Sequence, residues 1–454
     1  MFETDYPWGN PHGISFFSFN LGSKTATISE VKYIYNIVWL IMDYIPRLMD
    51  QYLESLLQIS GAVLVQGPRW CGKTTTAKKI SRSSLMLGDT GVLNNSRGIA
   101  DIDPSRLLDG ETPRLIDEWQ VSPSLWDSIR TEVDNRGSSG QFILTGSTTA
   151  EAPTLHSGAG RIIRVMMRTM SLFESGESNG SVSLGGLFEG EEVSGHCDIT
   201  LDQMASTIVR GGWPSTIGMT ERDSARLIRG YIDAIAESEL RIMDGIRRDP
   251  DNVRKIIQSV SRNICTTATI STIRKDVEKH QSVLSDKTVS SYISALRRVF
   301  VVENLPAWSA ELRSKAIIRT TPKRYLSDPS IAAASLGAST SRILSDMSTF
   351  GLLFECLCIR DLRIYAQVLD AKVSFYQDNN GLEVDAIIES WDGRWGAMEI
   401  KLGQAGIEEG VRNLLRLREV VAHPPEFMVV LTLNGYAYRR QDGVFVIPVG
   451  CLRD

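Results

Sequence analysis

Apolar positions along this chain switch between two periods, and the switches mark out its elements. From Met42 onward, Ile45, Leu48, Met49, Tyr52, Leu53, Leu56 and Leu57 recur at helical spacing, and the pattern then gives way to the unbroken run Val63-Leu64-Val65. The first pattern predicts an amphipathic helix and the second a strand buried on both faces. Short runs recur at Arg114-Leu115-Ile116-Asp117 and from Gln141 to Thr145, with helical stretches over Thr76 to Ile80 and Trp126 to Val133 between the runs. Strands alternating with helices predict an α/β core with a parallel sheet, here placed over residues 42–230.

Downstream the periods change again. Residues 252–262, 270–278 and 286–299 read as three helices followed by the strand-like stretch Phe300 to Leu305, together a helical region over 231–325. Residues 350–362 form another helical run, and residues 382–388 and 395–401 read as two strands joined by the turn Asp392-Gly393. The stretch Glu174 to Ser194, rich in Gly, Ser and Glu, reads as a flexible surface loop. Near the start, Val31 to Met42 is apolar but too short to span a bilayer, and it lacks the basic start and cleavage pattern of a secretory signal. Residues 1–41 are therefore expected to be an unstructured leader, or an untranslated one if Met42 is the start.

The strand at Val63 runs into Gly67-Pro68-Arg69-Trp70-Cys71-Gly72-Lys73-Thr74-Thr75, which is G-x-x-x-x-G-K-T followed by a helix. Strand, glycine-rich turn and helix N-terminus together make an anion cradle, because successive backbone N–H groups point inward and the helix end is positive. Residues 67–75 are thus the expected nucleotide-binding loop, with Lys73 on the β- and γ-phosphates and Thr74 on Mg2+. Asp117, ending the next apolar strand, is expected to hold the Mg2+ through water, and Glu118 to polarise the attacking water. Ser147 is the candidate γ-phosphate sensor, with Thr145 second. Arg161, in a glycine-flanked turn, is the candidate for reaching the γ-phosphate, with a solvated surface arginine as the competing reading.

Composition adds less. The 454 residues suit about three domains, and the net charge of −5 names no partner. Six scattered cysteines and a lone His196-Cys197 pair offer neither a disulfide framework nor a zinc site, which points to reduced thiols and a cytoplasmic location. The whole-chain charge conceals one asymmetry: residues 241–324 hold 17 Lys and Arg against 8 Asp and Glu. A local positive field is the footprint of a nucleic-acid surface, so DNA or RNA is a candidate partner.

Several motifs occur in a fixed order: the loop at Gly67, Leu115-Ile116-Asp117-Glu118, Leu144-Thr145-Gly146-Ser147, Gly158-Ala159-Gly160-Arg161, Met170 to Glu174, and Gly211-Gly212-Trp213-Pro214. From Met42 to the C-terminus they resemble the prokaryotic AAA-family ATPases that carry a C-terminal domain of unknown function. The resemblance implies an AAA-type core, a helical and winged-helix middle, and a C-terminal domain over 326–454 similar to the PD-(D/E)XK restriction-endonuclease-like fold. It also implies sites completed by a neighbouring subunit, hence a homo-oligomer or a partner protein. In a winged helix the third helix, with Lys287, Thr288, Ser290, Ser291 and Arg297 on polar positions, would enter a groove of nucleic acid.

A second constellation lies in the C-terminal region. Glu399 and Lys401, two apart on a strand, share a face, and Asp385 on the neighbouring strand can meet them. Carboxylates holding Mg2+ beside a water-activating lysine are what phosphodiester hydrolysis requires. Asp385, Glu399 and Lys401 are the expected catalytic residues there, and Glu355, Asp385 and Glu399 the metal ligands. Two functions remain open: an ATP-driven enzyme acting on nucleic acid, and a nucleotide-controlled switch whose C-terminal domain only binds a partner.

Overall fold

The computed structural model describes residues 44–89, 91, 103–149, 158–278, 284–311 and 321–454; the leader expected over 1–41 lies outside them. In chain order the first elements are α1 (Leu48–Ile59), β1 (Ala62–Gln66), α2 (Lys73–Ile80), β2 (Ser83–Met86), β3 (Arg114–Asp117), α3 (Ser124–Arg136), β4 (Phe142–Gly146) and β5 (Ile162–Met166). The five strands form one parallel sheet in the order β2-β3-β4-β1-β5. Alternate side chains divide between its two faces, as the strand period of two requires. Val63, Val65, Leu115 and Ile143 pack on Leu53, Leu56 and Leu57 of α1, while Leu64, Ile116 and Leu144 pack on Leu125, Trp126 and Ile129 of α3. Because β4 lies between β1 and β3, the residues that follow β4 sit between the P-loop and the acidic end of β3.

The next elements are β6 (Val182–Ser183), α4 (Leu184–Phe188), β7 (Gly195–Cys197), α5 (Leu201–Arg210) and α6 (Glu221–Ala234). Here the expectation of a flexible loop over Glu174 to Ser194 is corrected. Strand β6 pairs with the C-terminal strand at Leu452–Arg453, and Val182, Leu184, Leu187 and Phe188 are buried, Phe188 edge-on to Phe427 at 4.9 Å. The polar composition conceals four buried apolar side chains, two of which, Val182 and Phe188, meet Leu452 and Phe427 more than 200 residues away.

After α6 come a π-helical turn (Ile235–Glu239), α7 (Leu240–Asp244), α8 (Pro250–Arg262), α9 (Ile270–Glu278), α10 (Asp286–Arg298) and the antiparallel pair β8 (Val302–Leu305) and β9 (Lys323–Leu326). Then follow α11 (Pro329–Ser335), α12 (Thr340–Ser345) and the long α13 (Met347–Val368). The last region contains β10 (Lys372–Gln377), β11 (Glu383–Glu389), β12 (Trp395–Lys401), α14 (Ile407–Val420), β13 (Met428–Thr432), β14 (Gly435–Arg439), β15 (Phe445–Pro448) and β16 (Leu452–Arg453). Its mixed sheet has the order β10-β11-β12-β13-β15-β14-β7, so β7, more than 230 residues earlier in the chain than its neighbour β14, closes one edge. Helix α14 covers one face through Val411, Leu414 and Leu417, and α13 the other through Leu353, Phe354 and Leu357.

A buried ionic knot joins these regions. The Asp328 carboxylate accepts from Thr169 Oγ1 (2.7 Å), the Gly212 N–H (3.0 Å) and Arg360 (2.9 Å), and Asp361 accepts from Arg360 (2.8 Å) and the Leu172 N–H (2.9 Å). Burial works against its charge, yet Arg360 and these donors hold the Asp328 carboxyl below its ordinary range. A side chain on Gly212 would put its Cβ 2.3 Å from the Met170 carbonyl and 2.7 Å from Arg360, so the backbone approach at this joint requires glycine. The motifs around Met170 and Gly211 thus serve the packing of the joint. All six cysteines are free and buried. Among the described residues no helix is long and apolar enough to cross a membrane.

Candidate functional site

The loop after β1 is curled by two left-handed residues, Trp70 (φ 68°) and Gly72 (φ 105°), the latter capping the start of α2. A Cβ on Gly67 would sit 2.0 Å from the Met167 carbonyl, so only glycine lets the chain leave β1 on this path. Buried Lys73 reaches back across the loop, its ammonium donating to the Gly67 (3.0 Å) and Pro68 (2.9 Å) carbonyls. Thr74 Oγ1 and Thr145 Oγ1 both donate to Asp117 Oδ1 at 2.7 Å. The Glu118 N–H donates to Thr145 Oγ1 at 3.1 Å, and Ser147 Oγ donates to the Glu118 carboxylate at 2.9 Å. Glu118 also takes a hydrogen bond from the Gln120 amide and holds a left-handed backbone (φ 55°). Such a conformation costs roughly 1–3 kcal/mol in a residue with a side chain and concentrates at functional positions. Lys73, Thr74, Asp117, Glu118, Thr145 and Ser147, from three separate stretches of sequence, therefore converge at the C-terminal edge of one sheet.

Three expectations for this site change. Arg161 lies at the opposite end of the sheet: its carbonyl accepts from the Ala62 N–H at the start of β1, a full strand of about 15 Å from the loop. Its exposed guanidinium pairs with Asp134 at 2.9 Å, so within this chain it does not face the phosphate loop. Of its neighbours, Arg164 stacks over Trp126 at 5.1 Å and Arg168 pairs with Glu303 at 2.8 Å. Two loop side chains also turn away from the cradle. Arg69 meets Glu239 at 2.9 Å, and Trp70 packs near the Tyr231 ring, 5.8 Å between centroids. Both partners belong to α6 and the π-helical turn after it, a distortion frequent at functional sites. Burial pushes the Glu239 carboxyl up against the pull of Arg69, and the charge on Glu118 adds to the rise.

Sequence patterns carried no sign of Arg47. Its guanidinium donates to the Cys71 carbonyl of the loop (2.7 Å), the Arg168 carbonyl (2.8 Å) and Glu174 (3.0 Å), and Glu174 also accepts from the Leu48 N–H and from Ser171. The far side of the site meets the helical region as well, where Thr149 donates its N–H to the Arg298 carbonyl at the end of α10 (2.9 Å).

The C-terminal constellation also assembles, with an unexpected member. A cleft of about 450 Å³ is lined by Glu355 of α13, Asp385 of β11 and Lys401 of β12, with Met347, Ile400 and Gly403 among its walls. Asp385 accepts from the Ile400 N–H at 2.9 Å. Glu399 does not line the cleft; it is buried, paired with Lys401 (3.0 Å) and accepting from the Asn413 amide (3.1 Å). Lys323 of β9 enters from the hairpin, its buried ammonium 2.6 Å from Glu383, 3.4 Å from Glu355 and 3.6 Å from Asp385. Tyr325 of the same strand donates its hydroxyl to Glu355 at 2.6 Å. Burial, with Asp385 adding, pushes the Glu355 carboxyl up to about 7 and the Glu399 carboxyl up to about 8, while the surrounding carboxylates outweigh burial and raise Lys323. Of the expected metal set, Glu355 and Asp385 face Lys323 and Glu399 pairs with Lys401. A lysine already neutralises two of the three and the third is buried behind them; among the described residues no group of three or more such side chains is disposed to hold a metal ion.

Residues 60–175 match the model of an AAA domain, residues 201–342 a domain of unknown function (DUF8612), and residues 350–452 another (DUF4143). Uncharacterized proteins of Mycobacterium bovis and Mycobacterium tuberculosis are each 24% identical over 356 residues, covering 77% of this chain and 72% of theirs. Among solved structures, the chain is similar to a Walker-type ATPase of Pyrococcus abyssi (14% identity, TM-score 0.40, 64% of this chain and 96% of that one). It is also similar to the Aeropyrum pernix ORC1 protein, solved in complex with DNA (14% identity, TM-score 0.21, 65% and 94%). The AAA match, the five-stranded parallel sheet and the loop geometry define an AAA-type P-loop ATPase domain whose ligand is a nucleotide.

Proposed function

We propose that this protein binds and hydrolyses ATP and uses the nucleotide state to act on nucleic acid through its helical and C-terminal regions. The hydrogen-bonded series Thr74, Asp117, Thr145, Glu118, Ser147 along the edge of the P-loop carries the reading. Lys73 neutralises phosphate charge, and its ammonium exchanges the Gly67 and Pro68 carbonyls for phosphate oxygens. The hydroxyl and carboxylate of Thr74 and Asp117, 2.7 Å apart, fit Mg2+, a hard cation with oxygen ligands, which supplies further neutralisation of the phosphates when bound. Glu118 orients the attacking water, and Ser147 fixes its carboxylate. The test is turnover by the purified protein: Glu118→Gln should bind ATP without hydrolysing it, and undiminished turnover would remove Glu118 from the role.

Coupling runs through two contacts beside the site, Thr149 on the end of α10 and Arg168 on Glu303 of β8. Helices α8 to α10 and the β8–β9 hairpin follow winged-helix order, and α10 exposes Lys287, Ser290, Ser291 and Arg297, with Thr288 half-buried. These side chains suit phosphate contacts on DNA or RNA.

The C-terminal order of α13, three antiparallel strands, α14 and a parallel strand, carrying Glu355, Asp385, Glu399 and Lys401, supports a restriction-endonuclease-like module. Lys323 among its carboxylates favours a binding role over metal-dependent cleavage. A nicking assay with Mg2+ or Mn2+ separates the two: cleavage lost in Asp385→Ala and Lys401→Ala would reinstate the enzyme.

A further inference from the structure

We propose that Lys323 is the resident cation of the C-terminal acidic cleft, standing where a divalent metal would otherwise be held between Glu355, Glu383 and Asp385. The inference deepens the binding-module reading above and is independent of the ATP site. Three observations support it. The ammonium lies among three carboxylates, Glu383 at 2.6 Å, Glu355 at 3.4 Å and Asp385 at 3.6 Å, the last an ion pair without a hydrogen bond. It does not belong to the sheet that bears the acids: Lys323 opens β9, fixed opposite Leu305 of β8, and is introduced into the cluster from the hairpin. Its placement is also built around it. The side chain is 3% exposed and lies over the Phe375 ring at 5.5 Å, and Tyr325, two residues on, bonds the same Glu355 oxygen.

Every charged group facing the cluster enters this balance. Glu355, Glu383, Asp385 and Glu399 supply the carboxyl groups, Lys323 and Lys401 the ammonium groups, and the exposed Glu409 lies 3.8 Å from Lys401. A hard divalent ion needs several oxygen ligands at short range and an approach free of like charge. The Lys323 ammonium denies both, since it already engages three carboxylates and would lie beside any such ion. The cluster is therefore complete without metal, and what the cleft binds is selected by Lys401 and the surrounding walls instead of by a metal ion.

The test uses the full-length chain without nucleotide, carrying Thr74→Ala so that the P-loop contributes no metal site. Mn2+ binding is followed by electron paramagnetic resonance, and thermal stability by scanning calorimetry with and without Mn2+. With Lys323 intact, no Mn2+ should bind in a manner that Asp385→Asn removes, and Mn2+ should leave the melting temperature unchanged. Lys323→Gln should melt earlier, gain one Mn2+ that the added Asp385→Asn removes, and recover stability when Mn2+ is present. Lys323→Arg, which keeps the charge, should bind none. An Asp385-dependent Mn2+ site in the Lys323 protein overturns the proposal. So does a Lys323→Gln protein that neither gains Mn2+ nor is stabilised by it. If Lys323→Gln folds only in Mn2+ the proposal stands, and if it fails to fold even then while Lys323→Arg folds, the proposal is wrong.

Discussion

The P-loop and the C-terminal cleft each set a lysine beside carboxylates, and the two lysines, Lys73 and Lys323, do opposite things. At the P-loop, Lys73 rests on two backbone carbonyls, while Asp117 and Glu118 are held by the hydroxyls of Thr74, Thr145 and Ser147. Neutral partners can be exchanged for phosphate oxygens without leaving a buried charge alone. At the C-terminal cleft, Lys323 is paired directly with Glu355, Glu383 and Asp385, so any ligand that displaced it would strand three acids. The first site is built to take up a charged ligand and release it. The second is internally neutralised, although both contain the residue types that phosphate chemistry uses.

The largest expected effect falls on the first site. Lys73→Ala should reduce nucleotide binding below detection in a fluorescent-nucleotide titration; retained binding would show that the loop does not act as a phosphate cradle. Next, Glu118→Gln should lower single-turnover ATP hydrolysis by about 10²–10⁴-fold with binding intact, the range of a positioned general base. At the second site Lys323→Met should destabilise the protein by about 3–5 kcal/mol in denaturant unfolding, because removing one partner leaves buried charge uncompensated. A neutral result would mean that the carboxylates there are protonated or solvated.

The pH dependence sharpens the same contrast. Glu399 has its carboxyl pushed from the ordinary 4.5 up to about 8 by burial, with Asp385 adding. The folded chain then holds a proton that the unfolded chain releases, so this group's stabilisation is full below pH about 4.5 and is lost as pH rises through about 8. Glu399→Gln should flatten the fall in stability over that window, measured as unfolding midpoints across pH; an unchanged slope would place the proton elsewhere. The smallest effect belongs to the exposed helix: Lys287→Ala with Arg297→Ala should weaken nucleic-acid binding a few-fold and reduce its salt dependence by up to about two phosphate contacts. Unaltered salt dependence would remove α10 from the interface.

The contrast also explains what was legible in the sequence. The P-loop site is local in kind: each residue ends a strand or opens a helix within a recognisable run, and the parallel order brings Lys73, Asp117 and Ser147 to one edge. The three middle helices and the strands around Asp385 and Glu399 were legible for the same reason. Lys323 was not, because it lies in Lys-Arg-Tyr-Leu, a strand whose polar start resembles any exposed edge, and its partners are 32, 60 and 62 positions away. Arg47 and Glu174, paired across 127 residues, were hidden likewise. Arg161 was misplaced by its motif: a glycine-flanked turn announces a tight corner, but only the strand direction tells which end of the sheet the corner occupies. The segment from Glu174 to Ser194 failed for a related reason, since four apolar side chains matter more than its average polarity once distant strands cover them.

Counting Mn2+ bound to the protein with a non-hydrolysable ATP analogue decides whether the P-loop site is exchangeable and the C-terminal cleft self-neutralised. A single bound Mn2+ is expected, lost in Thr74→Ala and indifferent to Asp385→Asn. A second Mn2+ that disappears in Asp385→Asn would contradict a self-neutralised cleft.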